Sequence, residues 1–167
     1  MPFDRIPGHN PQGPFWQGLE WSAWYDFEEL CGPLRDLKLY PEDEHRGFAT
    51  DKAIYRFRVG RERGLIYIGE TSVSAQRRLR SHRRGMRLAL RGGSETYRRL
   101  LGFHVGLAEA DRLGRRIQAS WTPVSSLSKS DRRGVEAELI AAYRAIMGKN
   151  PLYQWPGSDA DDTDDLR

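Results

Sequence analysis

Two tyrosines, an arginine–histidine pair and one glutamate are the residues of this chain whose types and spacing could do chemistry. Tyr55 lies in Ala53-Ile54-Tyr55 and Tyr67 in Tyr67-Ile68-Gly69. Arg78 and His82 stand four apart in Arg77-Arg78-Leu79-Arg80-Ser81-His82, so on a helix they share a face. Glu136 lies in Gly134-Val135-Glu136-Ala137-Glu138. Phosphodiester cleavage asks for a cation held by a carboxylate, for charge stabilisation at phosphorus and for an activated water. Glu136 would hold Mg²⁺, a hard ion that prefers oxygen ligands, with Mn²⁺ as a substitute. Arg78 would clamp the phosphate with its planar guanidinium. Tyr55 or Tyr67 would orient or deprotonate water; a phenol titrates near ~10, so a base role needs a neighbouring cation. His82 has two readings of equal weight, proton transfer or phosphate contact on one side and helix-face packing on the other.

Each residue alone reads more plainly. Tyrosines on strands are most often packing, and a lone Arg on a basic helix is usually solvated. Helical phase separates the glutamates: Glu136 shares a flank with Ile140, Tyr143 and Met147, whereas Glu138 aligns with Ala141, Ala142 and Ala145. A carboxylate at the edge of a core needs a partner, and a metal is one. The case rests on the residues jointly.

The elements that must position them are legible from periodicity. Ala53, Tyr55, Phe57 and Val59 alternate with Ile54, Arg56 and Arg58, which predicts a strand. Gly60 to Gly64 predicts a hairpin turn, and Leu65 to Gly69 the returning strand, so Tyr55 and Tyr67 can point the same way. Thr71, Ser72 or Ser74 starts a helix whose buried face holds Ala75, Leu79, His82 and Met86. Gly92-Gly93-Ser94 interrupts it. A second helix from about Ser94 carries Tyr97, Leu100, Leu101, His104 and Leu107. Ile117, Ala119 and Trp121 predict a third strand closed by Pro123. Ser128 or Ser130 starts a third helix with Val135, Leu139, Ala142 or Tyr143, and Ile146 inward, ended by Gly148 and Pro151. The expected fold is α/β (α+β), a small β-β-α-α-β-α domain with a three-stranded mixed or antiparallel sheet flanked by helices.

With 167 residues the chain has room for one domain and its appendages. Mean hydropathy is -0.71, and no apolar run approaches a membrane span. Cys31 is the only cysteine, which excludes an internal disulfide and a cysteine zinc cluster. No secretory signal is visible, so the expected location is cytoplasmic. The net charge of +4 is unevenly spread. Residues 1–50 carry four basic groups and nine acids, and residues 157–167 carry five Asp and one Arg. The stretch between, 51–156, is therefore left with +13, which points to a polyanionic partner. The organisation expected is an acidic aromatic extension over 1–50 that packs on the core, a basic domain over 51–156 and a disordered acidic tail over 157–167. Within the extension, Ser22 to Leu30 reads as a short helix ended by Cys31-Gly32-Pro33.

Taken in order, these motifs resemble the GIY-YIG nuclease superfamily over roughly Lys52 to Trp155. The first motif has Ala53 in place of its leading Gly, and the second is intact at Tyr67, Ile68 and Gly69. Arg78-Leu79-Arg80-Ser81-His82 is similar to the family's Arg-to-His pattern, with Arg77 as the alternate catalytic arginine. The family's metal-binding Glu falls on Glu136. Gln154 stands where the family usually ends in Asn. The resemblance favours Tyr55 as base and Tyr67 as phosphate or water ligand.

The expectation is a Mg²⁺-dependent endonuclease hydrolysing DNA phosphodiester bonds, in restriction or phage defence, repair or a mobile element. Its catalytic set is Tyr55, Tyr67, Arg78, His82 and Glu136. Arg77, Arg80, Arg83, Arg84, Arg87 and Gln154 form the nucleic-acid-binding set. DNA, single- or double-stranded, ranks above RNA, and no membrane partner is expected. A homodimer, or a partner protein docking through residues 15–40, is left open. The alternative function is a non-catalytic nucleic-acid-binding module with a degenerate site, for which Ala53 and Gln154 leave room.

Overall fold

Residues 8–31, 47–60, 64–91 and 98–154 are described by a computed structural model of the chain. The acidic tail, the Gly32-Pro33 stop, the hairpin tip at residues 61–63 and the expected second-helix start at Ser94 lie outside the described residues. The first strands among the described residues form a two-stranded ribbon, β1 (Phe15–Trp16) and β2 (Leu19–Glu20). It continues through β3 (Tyr25–Asp26), α1 (Phe27–Leu30), β4 (Ala53–Val59), β5 (Leu65–Thr71), α2 (Ala75–Leu90), α3 (Arg98–Arg112), β6 (Ile117–Pro123) and α4 (Lys129–Met147).

The protein is a mixed α+β domain. Its main sheet has four strands in the order β3-β6-β4-β5, every neighbouring pair antiparallel. The sequence predicts three strands; the fourth is β3, drawn from the segment expected to be helical over Ser22–Leu30. Only Phe27–Leu30 is helical. Tyr25 pairs with Ala119 and stacks on Trp121 at 5.4 Å, so an edge of β6 needing partners outweighs local helix propensity.

β4 is the centre of the sheet and is buried along its whole length. Its Tyr55 and Phe57 face joins Ile66, Ala119 and Trp121 under α2 and α3, in a core with Leu79, Met86, Phe103 and Leu107. The opposite face meets the N-terminal segment and α4, where Ile54, Leu65 and Ile68 pack with Trp16, Trp21, Leu139 and Tyr143. The alternating Arg56 and Arg58 therefore do not reach solvent. Arg56 is fully buried, its guanidinium 4.2 Å from the Trp21 ring and 4.7 Å from Trp24. It donates to the carbonyls of Pro11 and Gly13 and to Ser120 Oγ. Arg58 lies over Trp24 at 4.2 Å and donates to Gln118 and Gln12.

Among the described residues, no helix is long and apolar enough to cross a membrane.

Candidate functional site

The first two strands set the tyrosines. Tyr55 stands opposite Gly69 and Phe57 opposite Tyr67 in the β4–β5 register, so the two phenols project from one face with ring centroids 6.2 Å apart. Gly69 is needed there: a Cβ on it would lie 2.4 Å from the Tyr55 hydroxyl. The glycine of Tyr67-Ile68-Gly69 is thus the floor over which the Tyr55 ring passes. Tyr67, half-buried, stacks on Phe103 at 4.2 Å and 10°.

Ser74 starts α2, its side chain accepting from the Arg77 amide at 3.2 Å. That cap sets the phase of everything after it. Leu79, His82 and Met86 turn inward, Arg78 is half-buried at the edge, and Arg77 is exposed. Of the two candidate arginines, Arg78 is the one whose charge acts on both Tyr55 and His82. His82 is 1% exposed, and its Nε2 lies 2.7 Å from the Tyr55 hydroxyl. Its Nδ1 lies 3.0 Å from Nε2 of His104 on α3. Of the readings open for His82 from sequence, its burial against Phe57 and Phe103 is the packing one.

The electrostatics follow from burial. Desolvation, reinforced by Tyr67, pushes the Tyr55 phenol well above its ordinary value; Arg78 pulls it down and Glu136 and Glu70 push it up. Burial first, then His104 and Arg78, pull His82 well below the usual imidazole value. Burial holds His104 at about 4. At neutral pH the site therefore holds a neutral phenol and two neutral imidazoles.

α4 brings the carboxylate. Ser128 caps it, accepting from the Asp131 amide at 3.1 Å. One turn before Glu136, Arg132 is buried against Glu70 of β5 at 3.0 Å and donates to the Leu127 carbonyl. This buried pair pins the start of α4 to the strand that carries Tyr67. Glu136 follows it by four residues on the same face and is half-buried, whereas Glu138 is exposed.

Neither a family model, nor a curated protein, nor a solved structure matches the chain. The site must speak through its own geometry.

The expected binding residues divide. Arg77, Arg80, Arg84 and Arg87 are exposed, and with Arg91 they fall at alternating spacings of three and four. That places them in one stripe along α2, about 20 Å long at 1.5 Å per residue, on a helix with no acidic residue. Arg83 is on another flank and is held by Glu28 at 2.7 Å, which ties α2 to α1. Gln154, placed in the nucleic-acid-binding set, lies against the backbone of β5. It is buried, its Oε1 accepts from the Ile68 amide at 3.0 Å, and its Nε2 donates to the Ile68 carbonyl at 3.1 Å. A primary amide can satisfy both groups of one residue, so Gln154 closes part of the outer edge of β5.

Three features escaped the sequence reading. His104 sits on the apolar stripe of its helix, and a histidine at such a position was its only signal. Gly85 is what lets His104 approach, since a Cβ there would meet its ring at 2.1 Å. The Glu70–Arg132 pair joins residues 62 apart and has no local signature.

Proposed function

We propose that the chain is a metal-dependent endonuclease of the GIY-YIG type that hydrolyses DNA phosphodiester bonds. The observation carrying this reading is the hydrogen bond between Tyr55 and a neutral, buried His82, with Arg78 and Glu136 acting electrostatically on the same phenol. Glu136 offers the oxygen donor that Mg²⁺ prefers, and that ion keeps much of its water shell. The donor set thus fits the ion the resemblance implies. Held by Glu136, Mg²⁺ would supply positive charge to a phosphoryl oxygen.

The chain's own residues then divide the work. Arg78 clamps a non-bridging oxygen of the scissile phosphate and stabilises the charge that develops on it. A phenol with a raised pKa is not ionised in advance, so Tyr55 acts as a relay. Its oxygen takes a proton from water as its own proton passes to His82 Nε2. The hydroxide so formed adds to phosphorus, the bond to the leaving oxygen breaks, and that oxygen takes a proton from solvent. His82 returns its proton to the Tyr55 oxygen as that oxygen releases one to solvent, which closes the cycle.

The near-complete burial of Tyr55, 2% exposed, favours a second reading: binding without cleavage. Incubating the protein with supercoiled plasmid, single-stranded DNA and RNA, with Mg²⁺ and with chelator, separates the two. The expected result is Mg²⁺-dependent nicking of DNA that Glu136→Ala slows by about 10³-fold, the scale of losing one charge-stabilising group. If wild type cuts nothing in Mg²⁺ or Mn²⁺, or Glu136→Ala cuts equally well, the nuclease reading fails.

The arginine stripe makes its own prediction. Each phosphate neutralised contributes about 0.9 to the slope of log affinity against log salt. Replacing Arg84, Arg87 and Arg91 together by Gln, all three exposed, should flatten that slope by about 2–3 in fluorescence-anisotropy titrations. The rate at saturating DNA should hardly move. An unchanged slope would remove the stripe from the DNA-binding surface.

A further inference from the structure

The chain of hydrogen bonds does not stop at His82, and its direction is forced. The Tyr55 phenol is neutral, so it carries a proton that must be donated. Among the described residues the partner within reach is His82 Nε2, at 2.7 Å. Nε2 must then be bare, which puts the single proton of neutral His82 on Nδ1. That proton points at His104 Nε2, 3.0 Å away, so His104 Nε2 is the acceptor and the proton of His104 resides on its own Nδ1. Among the described residues this last atom, which is buried, has no hydrogen-bond partner. The reverse arrangement, with each histidine donating towards Tyr55, would leave both the phenol proton and the His104 Nδ1 lone pair without partners. One orphaned group is less costly than two, because each costs the desolvation of a buried polar atom.

We propose that His104 is a positioning residue: it accepts the Nδ1 proton of His82, fixes the plane of that ring, and stabilises the imidazolium that forms when His82 takes the proton of Tyr55. The inference rests on the nuclease reading for its catalytic meaning. The geometry behind it is independent of that reading. An apolar residue at position 104 would fill the helix interface as well and would leave no orphaned nitrogen. Instead the histidine is kept 4% exposed, and α2 carries a glycine, Gly85, where any side chain would collide with its ring. The downward pull of His104 on His82 belongs to a charged His104. Held at about 4, His104 is neutral at pH 7, so when His82 becomes positive its Nδ1–H bond to the bare Nε2 becomes charge-assisted and stronger, and is worth more after proton transfer than before. His104 needs no charge of its own for this; its ring nitrogen has only to be bare and aligned.

The test starts with wild-type protein labelled with ¹⁵N at histidine. Two-bond ¹H–¹⁵N correlations report which nitrogen of each ring carries its proton, and ¹⁵N–¹⁵N coupling through the hydrogen bond reports the pair. The expected spectrum has His82 protonated on Nδ1, His104 protonated on Nδ1, and a coupling between His82 Nδ1 and His104 Nε2. A proton on His104 Nε2 overturns the proposal without any substitution being made. Cleavage is then compared in His104→Leu, which removes the acceptor, and His104→Gln, whose amide oxygen can stand near the position of Nε2. The Leu variant should be slower by about 10²-fold, the low end of what positioned proton transfer contributes, and the Gln variant should recover to within a few-fold of wild type. A Leu variant as fast as wild type, or a Gln variant as slow as Leu, overturns the role. Loss of folding in the variants leaves the wild-type spectrum to decide. An absence of cleavage in wild type counts against the nuclease reading, and the spectrum decides the hydrogen-bond direction all the same.

Discussion

Tyr55→Phe should leave a folded protein that binds DNA and cleaves it about 10³-fold more slowly, within the range that positioned proton transfer supplies. The substitution keeps the ring that packs against Phe57 and Tyr67 and passes over Gly69. What it deletes is the oxygen between water and His82. The cost in stability is that of leaving one buried nitrogen unpaired, about 1–3 kcal/mol. Tyr67→Phe, by contrast, keeps the stack on Phe103 and leaves the Tyr55–His82 bond in place, so it should slow cleavage much less. Single-turnover nicking of plasmid at saturating protein separates the two. A Tyr55→Phe rate within tenfold of wild type would remove the phenol from the proton path. The pH profile carries the same logic. The reactive form of His82 is neutral, and burial draws its pKa down. Cleavage should therefore survive acidification through pH 6.5, where an ordinary imidazole would already be charging, and fall only below it.

Arg56→Leu should lower stability by about 3–5 kcal/mol, because the deletion removes more than a charge. The guanidinium satisfies the carbonyls of Pro11 and Gly13 and lies against the rings of Trp21 and Trp24. Leucine fills part of the volume and leaves both carbonyls buried without donors. Near the midpoint each kcal/mol is worth about 2–4 °C for a chain of this size, so the melting temperature should drop by roughly 10 °C. Arg56→Lys should recover only part of this, since an ammonium presents no planar face to two indoles. Thermal unfolding followed by circular dichroism, with Arg83→Ala as an exposed-pair control, makes the comparison. A drop in Arg56→Leu no larger than the control would mean that the N-terminal segment is held by its tryptophans alone.

The helices α2 and α4 were readable from sequence because local signals agreed there. Ser74 and Ser128 cap them, and Gly148, with φ of 75°, closes α4 as a left-handed stop. The hairpin of β4 and β5 was equally readable, and with it the shared direction of Tyr55 and Tyr67. What local pattern could not carry is whatever depends on distant partners. Tyr25–Asp26 became a strand because β6 offered an edge 90 or more residues later. Arg56 entered the sequence only as one beat of a strand's alternation; its burial depends on the distant N-terminal segment that accepts its hydrogen bonds. Gln154 was placed by motif position, yet its burial against Ile68 follows from where the chain after α4 returns to β5. The separation of Glu136 from Glu138 was visible because it depends only on helical phase.

The position of β6 near the end of the domain also sets an order of events during synthesis. Ser22 is held by Ser120, 98 residues further on, and Tyr25 by Ala119. At about 5–20 residues per second, a ribosome takes about 5–20 s to supply those partners. Through that interval Trp16, Trp21, Tyr25 and Phe27 have left the exit tunnel without the surface that will cover them. The newborn N-terminus is thus a waiting aromatic segment. β6 covers Tyr25, and Trp16 and Trp21 wait further for Leu139 and Tyr143 of α4.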